Sequence, residues 1–248
     1  MNPAGPSPEM SRHISPDAVV HPTAHIYPGA WIGGGVEIGA GCSVGPGTVL
    51  GFARLDEPCG HTIIGENVHL GPHVCVEPGA IIEPEVRVGF SACIRTGTRI
   101  GRGAHVGERC VLMGNCNVGE CVVLLAEVHV CEHAELLAHC QLMTGVILIN
   151  DPYPPTGLTV HGPTIGECAI VGVNSVIWPG VKLGYHSMVG SMSEVKHDVA
   201  DYTLVRGCPA KPICDVRKIR MKLRDKWVYP YPWMRHGIPD EDLTKPAL

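Results

Sequence analysis

Isoleucine, valine or leucine returns at every sixth residue over most of this 248-residue chain. The row opens with Ile14, Val20, Ile26, Ile32, Ile38, Val44 and Leu50. It resumes in a second register from Ile64 to Leu148 and in a third from Ile165 to Val195. All 28 positions of the three rows are Ile, Val or Leu. Glycine often follows (Gly33, Gly39, Gly65, Gly71, Gly166), and the fourth residue on is small or β-branched (Ala18, Ala30, Cys42, Thr48, Val68, Ser175). A period of six fits neither an amphipathic helix nor a simple alternating strand. It fits a triangular solenoid in which each hexapeptide supplies one short strand and one corner. The first and fifth side chains then point inward, and three hexapeptides close one coil. Coils stack at about 4.8 Å, the ordinary strand spacing, and about nine coils are expected.

Composition agrees with a narrow interior. Aromatics are 5% of the chain, with two Phe in all, against 45% hydrophobic residues. Such a core is filled by aliphatic layers, and its open end needs a cap. The net charge of −5 argues against a nucleic-acid binder. No run approaches the ~18 apolar residues of a membrane span, and no apolar signal segment opens the chain. The twelve Cys include no CxxC pair. Most fall at inward or corner positions, as core filling in a cytosolic protein would place them.

The register breaks twice. Leu50 to Ile64 is two residues longer than two hexapeptides, which makes 51–63 a bulging loop. A longer projection, 150–164, separates Leu148 from Ile165. Loops on a rigid scaffold are where function concentrates. The expected organisation is a flexible leader over 1–13, the solenoid over 14–199, and a capping turn, helix and aromatic-rich tail over 200–248. The helix is expected from about Ile213, with Ile213, Val216, Ile219 and Leu223 on one face. Between Arg206 and Lys226 eight basic residues meet two acidic ones. Phosphates of a nucleotide-bearing cofactor, a solvated face and nucleic acid are the readings of that patch. The end of the chain sets Trp227, Tyr229, Tyr231 and Trp233 among prolines, which reads as an extended arm.

Stacking arithmetic gathers polar residues at the root of the second loop. Residues three hexapeptides apart lie one above another, so Asn150 stands over Glu132, Asp151 over His133, and His133 over Asn115. A His beside carboxylates can take a proton from an attacking amine or hydroxyl. Asn150 can orient an acceptor or steady a developing oxyanion. A polar ladder along a solenoid corner is the plain alternative. His139 stands at another corner, between Ala138 and Cys140, as a second candidate base.

With these residues in view, the chain resembles the hexapeptide-repeat transferases over 14–212. The resemblance implies an all-β, left-handed parallel β-helix (hexapeptide repeat) with a C-terminal capping helix. It also implies a homotrimer with sites between adjacent prisms. The surroundings of His139 are similar to the Ala-His-Asp-Cys context of the UDP-N-acetylglucosamine acyltransferase branch, without its Asp. Leu148-Ile149-Asn150-Asp151-Pro152-Tyr153-Pro154-Pro155 resembles the Thr-Asn-Asp-x-x-Pro signature of N-acetyltransferases acting on nucleotide-linked amino sugars. The resemblance implies that Asn150 meets the acceptor amine and offers His139 as a base, beside His133 from the stacking. Asp151, Tyr153, Glu132 and Asn115 would meet the acceptor. Gly207-Cys208-Pro209-Ala210-Lys211 looks like the Gly-x-Pro-Ala-Lys/Arg ending of members that use acetyl-CoA. Arg206 and Lys211 would there meet the phosphates, with Gly172, Val173, Gly190 and Ser191 along the pantetheine arm.

The function expected is CoA-dependent transfer of an acyl group, acetyl foremost, to an amine or hydroxyl of a sugar or nucleotide sugar. No metal, nucleic acid or membrane partner is expected. Two other readings stand beside it. One is a non-catalytic scaffold or assembly subunit. The other is a zinc enzyme like the γ-class carbonic anhydrases, which share the fold. Here His69 and His105 share an edge with Arg87 between them, and His129 and His133 are four apart. Neither arrangement reproduces three-histidine zinc ligation.

Overall fold

The structure is a computed structural model and describes residues 13–52, 60–153, 161–221 and 226–227. Two- and three-residue strands visit three parallel sheets in strict rotation. Sheet A has ten strands, from His13–Ile14 to Glu194–Val195, and sheet B has nine, from Val19–Val20 to Lys182–Leu183. Sheet C begins at His25–Ile26 and, with two terminal strands, reaches eleven. Each coil gives one strand to each sheet, so the three sheets are the faces of a triangular prism. Pairing follows the coil of three hexapeptides: Cys75 lies beside Cys93 in A, Ile81 beside Arg99 in B, and Arg87 beside His105 in C. The solenoid already includes His13, which pairs with Trp31. His13, expected in the leader, thus belongs to the solenoid, and residues 1–12 lie outside the described ones.

Inward positions are those the repeat named. Ile32, Ile64, Ile82, Ile94, Leu112, Leu124 and Leu142 are fully buried, as are their partners four residues on, such as Val36, Val68 and Val86. Each such aliphatic side chain contributes about 1.5–3 kcal/mol. Both Phe residues are exposed, Phe52 at 55% and Phe90 at 43%, so the core holds none. Hydroxyls and thiols at the fifth position bond the neighbouring coil. Thr48 Oγ1 donates to Gly71 O (2.8 Å), Cys110 Sγ to Leu125 O (3.0 Å) and Ser175 Oγ to Gly190 O (3.1 Å). Burial pushes the Cys110 and Cys116 thiols up to about 11 and Cys131 up to about 12. Those cysteines are inert filling.

Both register breaks fall at one edge of the prism. Val49–Leu50 belongs to sheet A and the next strand, Thr62–Ile64, to sheet B. The break therefore spans a single hexapeptide step, not the two counted from spacing. Across it Ser43 pairs with His69, and across the second break Gln141 pairs with Ile170. Both spans are longer than a regular coil. Strands resume at Thr62 and Thr164, so the insertions end before 62 and 164 rather than at 63 and 164. Residues 53–59 and 154–160 lie outside the described ones.

The cap is a hairpin, which corrects the helix expected from Ile213. Thr203–Gly207 pairs parallel with Met188–Val189, and Ala210–Asp215 folds back antiparallel on it. A three-residue 3-10 turn, Val216–Lys218, follows, and then Arg220–Met221 pairs antiparallel with Lys226–Trp227. Of the expected helical face, Val216 is buried while Ile213 is 59% exposed. The reason lies in the scaffold. A solenoid ends in an unpaired strand edge, and ladder bonds to it outweigh the weak propensity of a short isolated helix. Pro212 is tolerated because its strand is the outermost one. Leu223 and the aromatic arm at Tyr229, Tyr231 and Trp233 lie outside the described residues. Among the described residues no helix is long and apolar enough to cross a membrane.

Candidate functional site

The three edges carry different chemistry. At the C–A edge, the expected cofactor residues come together as one stack. Gly172 leaves sheet C directly beneath the next coil. A Cβ there would stand 2.5 Å from Ser191 N, 2.7 Å from Val189 O and 2.9 Å from Gly190 C. Gly190 lies beneath Arg206, whose Cγ would be 2.9 Å from an added Cβ. Arg206 pairs in register with Lys211 across the hairpin, and both are exposed. The turn between them is tied to the last coil: Gly207 N donates to Ser193 Oγ (3.1 Å), and Ser193 Oγ donates to Gly190 O (2.5 Å). The edge is a glycine-floored strip with two cations at its end. Val173 and Ser191 are exposed beside the strip.

Spacing alone does not reveal what holds the far side of that turn. Cys208 Sγ donates to Glu194 Oε2 (3.3 Å), and Glu194 Oε1 accepts from Trp178 Nε1 (3.0 Å) and pairs with Lys196 Nζ (3.1 Å). The Cys208 bond, followed by the Lys196 bond, lowers the Glu194 pKa. Lys196 also lies over the Trp178 ring, 4.4 Å from its centre. Glu194 reaches Trp178 diagonally between coils, and the coil that leads to Cys208 is short, so stacking arithmetic misses both contacts.

The A–B edge carries the second loop. Ile149 stays in register, donating to Ile177 O (3.1 Å), and the chain leaves the coil at Asn150 and Asp151. Asp151 Oδ1 accepts from Tyr153 N (2.9 Å), a local turn that leaves Tyr153 70% exposed. Asn150 and Glu132 are half-buried and His133 is exposed. The chain returns through Gly162, whose absent Cβ would meet Ala134 N at 2.5 Å and Glu132 O at 2.8 Å. The re-entering backbone thus lies across the corner that holds His133. Asn115 turns away from this group. Its Oδ1 lies over Gly97 of the preceding coil, as Asn67 Oδ1 lies over Gly41 and Asn174 Oδ1 over Gly145. All four corner residues Asn67, Asn115, His133 and Asn174 have positive φ. Asn115 is a member of a corner ladder repeated on every edge. Pro154 and Pro155 lie outside the described residues. His139 stands apart at the B–C edge, exposed, its N–H on Glu120 O (2.9 Å).

One further histidine bears on the site. His129 points outward from sheet A, in register with Val111 and Ile147. It is half-buried, and desolvation lowers its pKa below 6.5, so the ring is neutral at pH 7. Its position just before an inward Val130 was the available signal. The outward row of sheet A around it is apolar: Val49, Cys75, Cys93, Val111, Ile147 and Val176. Among the described residues no group of three or more His, Cys, Asp or Glu could hold a metal ion.

Comparison with known proteins gives the same frame. No family model matches the chain. Chloramphenicol acetyltransferase of Escherichia coli is 40% identical over 63 residues, 25% of this chain and 28% of that protein. The dTDP-4-amino-4,6-dideoxy-D-glucose acyltransferase of Escherichia coli is 33% identical over 82 residues, 32% of this chain and 43% of that one. The chain thus spans less than half the length of the curated relatives it matches. Among solved structures, the Francisella novicida UDP-N-acetylglucosamine acyltransferase superposes with a TM-score of 0.59 at 20% identity. The match covers 93% of this chain and 75% of that one, and it fixes the coil as a left-handed β-helix. The chain thus shares the fold of that acyltransferase, and short stretches of its sequence are similar to acetyltransferases and an amino-sugar acyltransferase.

Proposed function

We propose that the chain transfers an acyl group, acetyl foremost, from a CoA thioester to an amine or hydroxyl of a sugar or nucleotide sugar. The observation that carries this reading is the glycine-floored strip at the C–A edge, ending in Arg206 and Lys211. Bare backbone at Gly172 and Gly190 admits a narrow chain, and two cations at its end suit phosphates. The names of the locally similar proteins, acetyltransferases and an amino-sugar acyltransferase, support the same class. CoA supplies an acyl group held as an activated thioester. Asn150 orients the acceptor, with Asp151, Tyr153 and Glu132 around it. His133 takes the proton that the attacking nitrogen or oxygen loses. His129, neutral and half-buried, is a second group able to take it.

The donor strip and the acceptor residues occupy different edges of one prism, and both edges border sheet A. That division supports a homotrimer. Packing about the apolar face of sheet A would bring the A–B edge of one copy to the C–A edge of the next. His139, on the edge opposite sheet A, stands outside such a cleft. We assign the protein to the cytoplasm on the same reading.

The test is thermal unfolding with and without acetyl-CoA. Saturation at a hundred times Kd stabilises by about 2.7 kcal/mol. Arg206→Glu should abolish the shift. Asn150→Ala should keep the shift while cutting turnover with an amino-sugar nucleotide. No shift in the unaltered protein would return the scaffold reading to first place.

A further inference from the structure

We propose a second anion site on sheet C, formed by His69, Arg87 and His105 and suited to a diphosphate group of a small molecule. It is separate from the C–A strip and does not rest on the acyltransferase reading. The three residues stand in register on successive strands: His69 beside Arg87, and Arg87 beside His105. They project outward into a recess of about 530 Å³, with Asn67, Glu85, Gly103 and Ala104 around it.

Four other arginines of the solenoid have carboxylate partners. Arg95 pairs with Glu77, Arg99 with Glu83, Arg102 with Glu85 and Arg109 with Glu127. Arg87 has no such carboxylate among the described residues. The acid nearest in sequence, Glu85, is already engaged by Arg102 Nη1 at 2.8 Å. On the outward row of sheet C, Arg87 has imidazoles on both sides, and the row continues with Ser43 and Val123. A guanidinium with no carboxylate partner, flanked by two imidazoles that can each donate a ring N–H, offers donors to an anion. A row of this kind is favourable when an anion joins it. His69 is also oriented: its Nδ1 is 2.8 Å from Ser43 Oγ, which leaves Nε2 as the ring atom for a ligand.

Spacing separates an anion from a metal. His69 and His105 are two strand steps apart, about 9–10 Å. Ligands to one zinc ion each stand about 2 Å from it, and Arg87 occupies the midpoint. The same span exceeds one phosphoryl group and matches two joined ones. Arg87 would bridge them in bidentate fashion, with a ring N–H at each end. Small residues at Gly103 and Ala104 keep the recess open.

The probe is inorganic pyrophosphate, titrated calorimetrically into the full chain carrying Arg206→Gln and Lys211→Gln, so that the C–A edge does not contribute. Saturable binding is expected, and adding Arg87→Gln should weaken it about tenfold or more. His105→Gln should weaken it less, and unchanged circular dichroism would show both variants folded. Three results would overturn the proposal: no saturable binding, binding that Arg87→Gln leaves intact, or heat reproduced by chloride at equal ionic strength. Loss of acetyl-CoA binding in the Arg206→Gln/Lys211→Gln background, with pyrophosphate binding retained, separates this site from the proposed donor strip.

Discussion

Three glycines test how tightly the coils are stacked. Gly34 has ordinary backbone, and a Cβ there would find its nearest neighbour, Ser15 Oγ, at 3.6 Å. Gly34→Ala should change stability by no more than about 0.5 kcal/mol. Gly180 has φ +68° and nothing within 4 Å of an added Cβ. Gly180→Ala should cost about 1–2 kcal/mol, the penalty of left-handed backbone for a residue with a Cβ. Gly172 has ordinary φ, but its Cβ would strike three backbone atoms of the coil above, the nearest at 2.5 Å. Backbone cannot rotate away as a side chain can. The coils must part, straining the Gly172 N to Val189 O bond of 2.8 Å. Overpacking of about 1–3 kcal/mol and a weakened hydrogen bond of about 0.5–1.5 kcal/mol give a loss of about 1.5–4.5 kcal/mol for Gly172→Ala. Urea unfolding of the three variants, read at constant m, measures the order directly. If Gly172→Ala were as mild as Gly34→Ala, the coil spacing described here would be wrong, and with it the floor of the proposed donor strip.

The half-buried His129 gives a pH dependence of known sign. Its folded-state pKa lies below the unfolded 6.5 because of desolvation, so the unfolded chain binds more protons in that interval. Stability should therefore fall as pH drops through 6.5 and level off below the folded value. His129→Gln should flatten that limb of the melting-temperature profile, and an unchanged profile would assign the slope elsewhere. Ile147, 41% exposed on the apolar row of sheet A, addresses assembly. Ile147→Glu should convert a trimer to monomers in light scattering behind size exclusion, with circular dichroism unchanged; a trimer that survives would move the interface off sheet A.

What the sequence disclosed, and what it did not, follows from the range of the forces involved. The inward rows were legible because a three-sided coil repeats one environment in every hexapeptide, so Ile32 and Leu124 answer to the same constraint. Glycines such as Gly172 were legible for the same reason. The first insertion was miscounted because spacing gives a length and not the sheet on which the chain resumes; only the pairing of Ser43 with His69 decides that. The C-terminal helix failed where the repeat ended. Ile213, Val216 and Ile219 have helical spacing, but an exposed ladder of backbone groups at the last coil was the stronger partner. At the root of the second loop, stacking arithmetic brought Asn150 over Glu132 but could not foresee that Gly162 would fold back across His133, nor that Asn115 would turn down onto Gly97.

The constant one-coil pairing offset also governs how such a chain can find its fold. Most all-β proteins pair strands distant in sequence and fold slowly for that reason. Here nearly every ladder joins residues a single coil apart, as Arg87 and His105 are, and the insertions stretch that span only modestly, as between Ser43 and His69 or Gln141 and Ile170. Relative to 248 residues these separations are about 0.07–0.12, the range of helical bundles. Lengthening a closure by about a half adds only about 0.4 kcal/mol of loop entropy. The prism can grow by adding one coil to a formed neighbour, in the manner of a crystal face. Large loops can then be carried at its A–B edge with little cost to the growth of the coils beyond them.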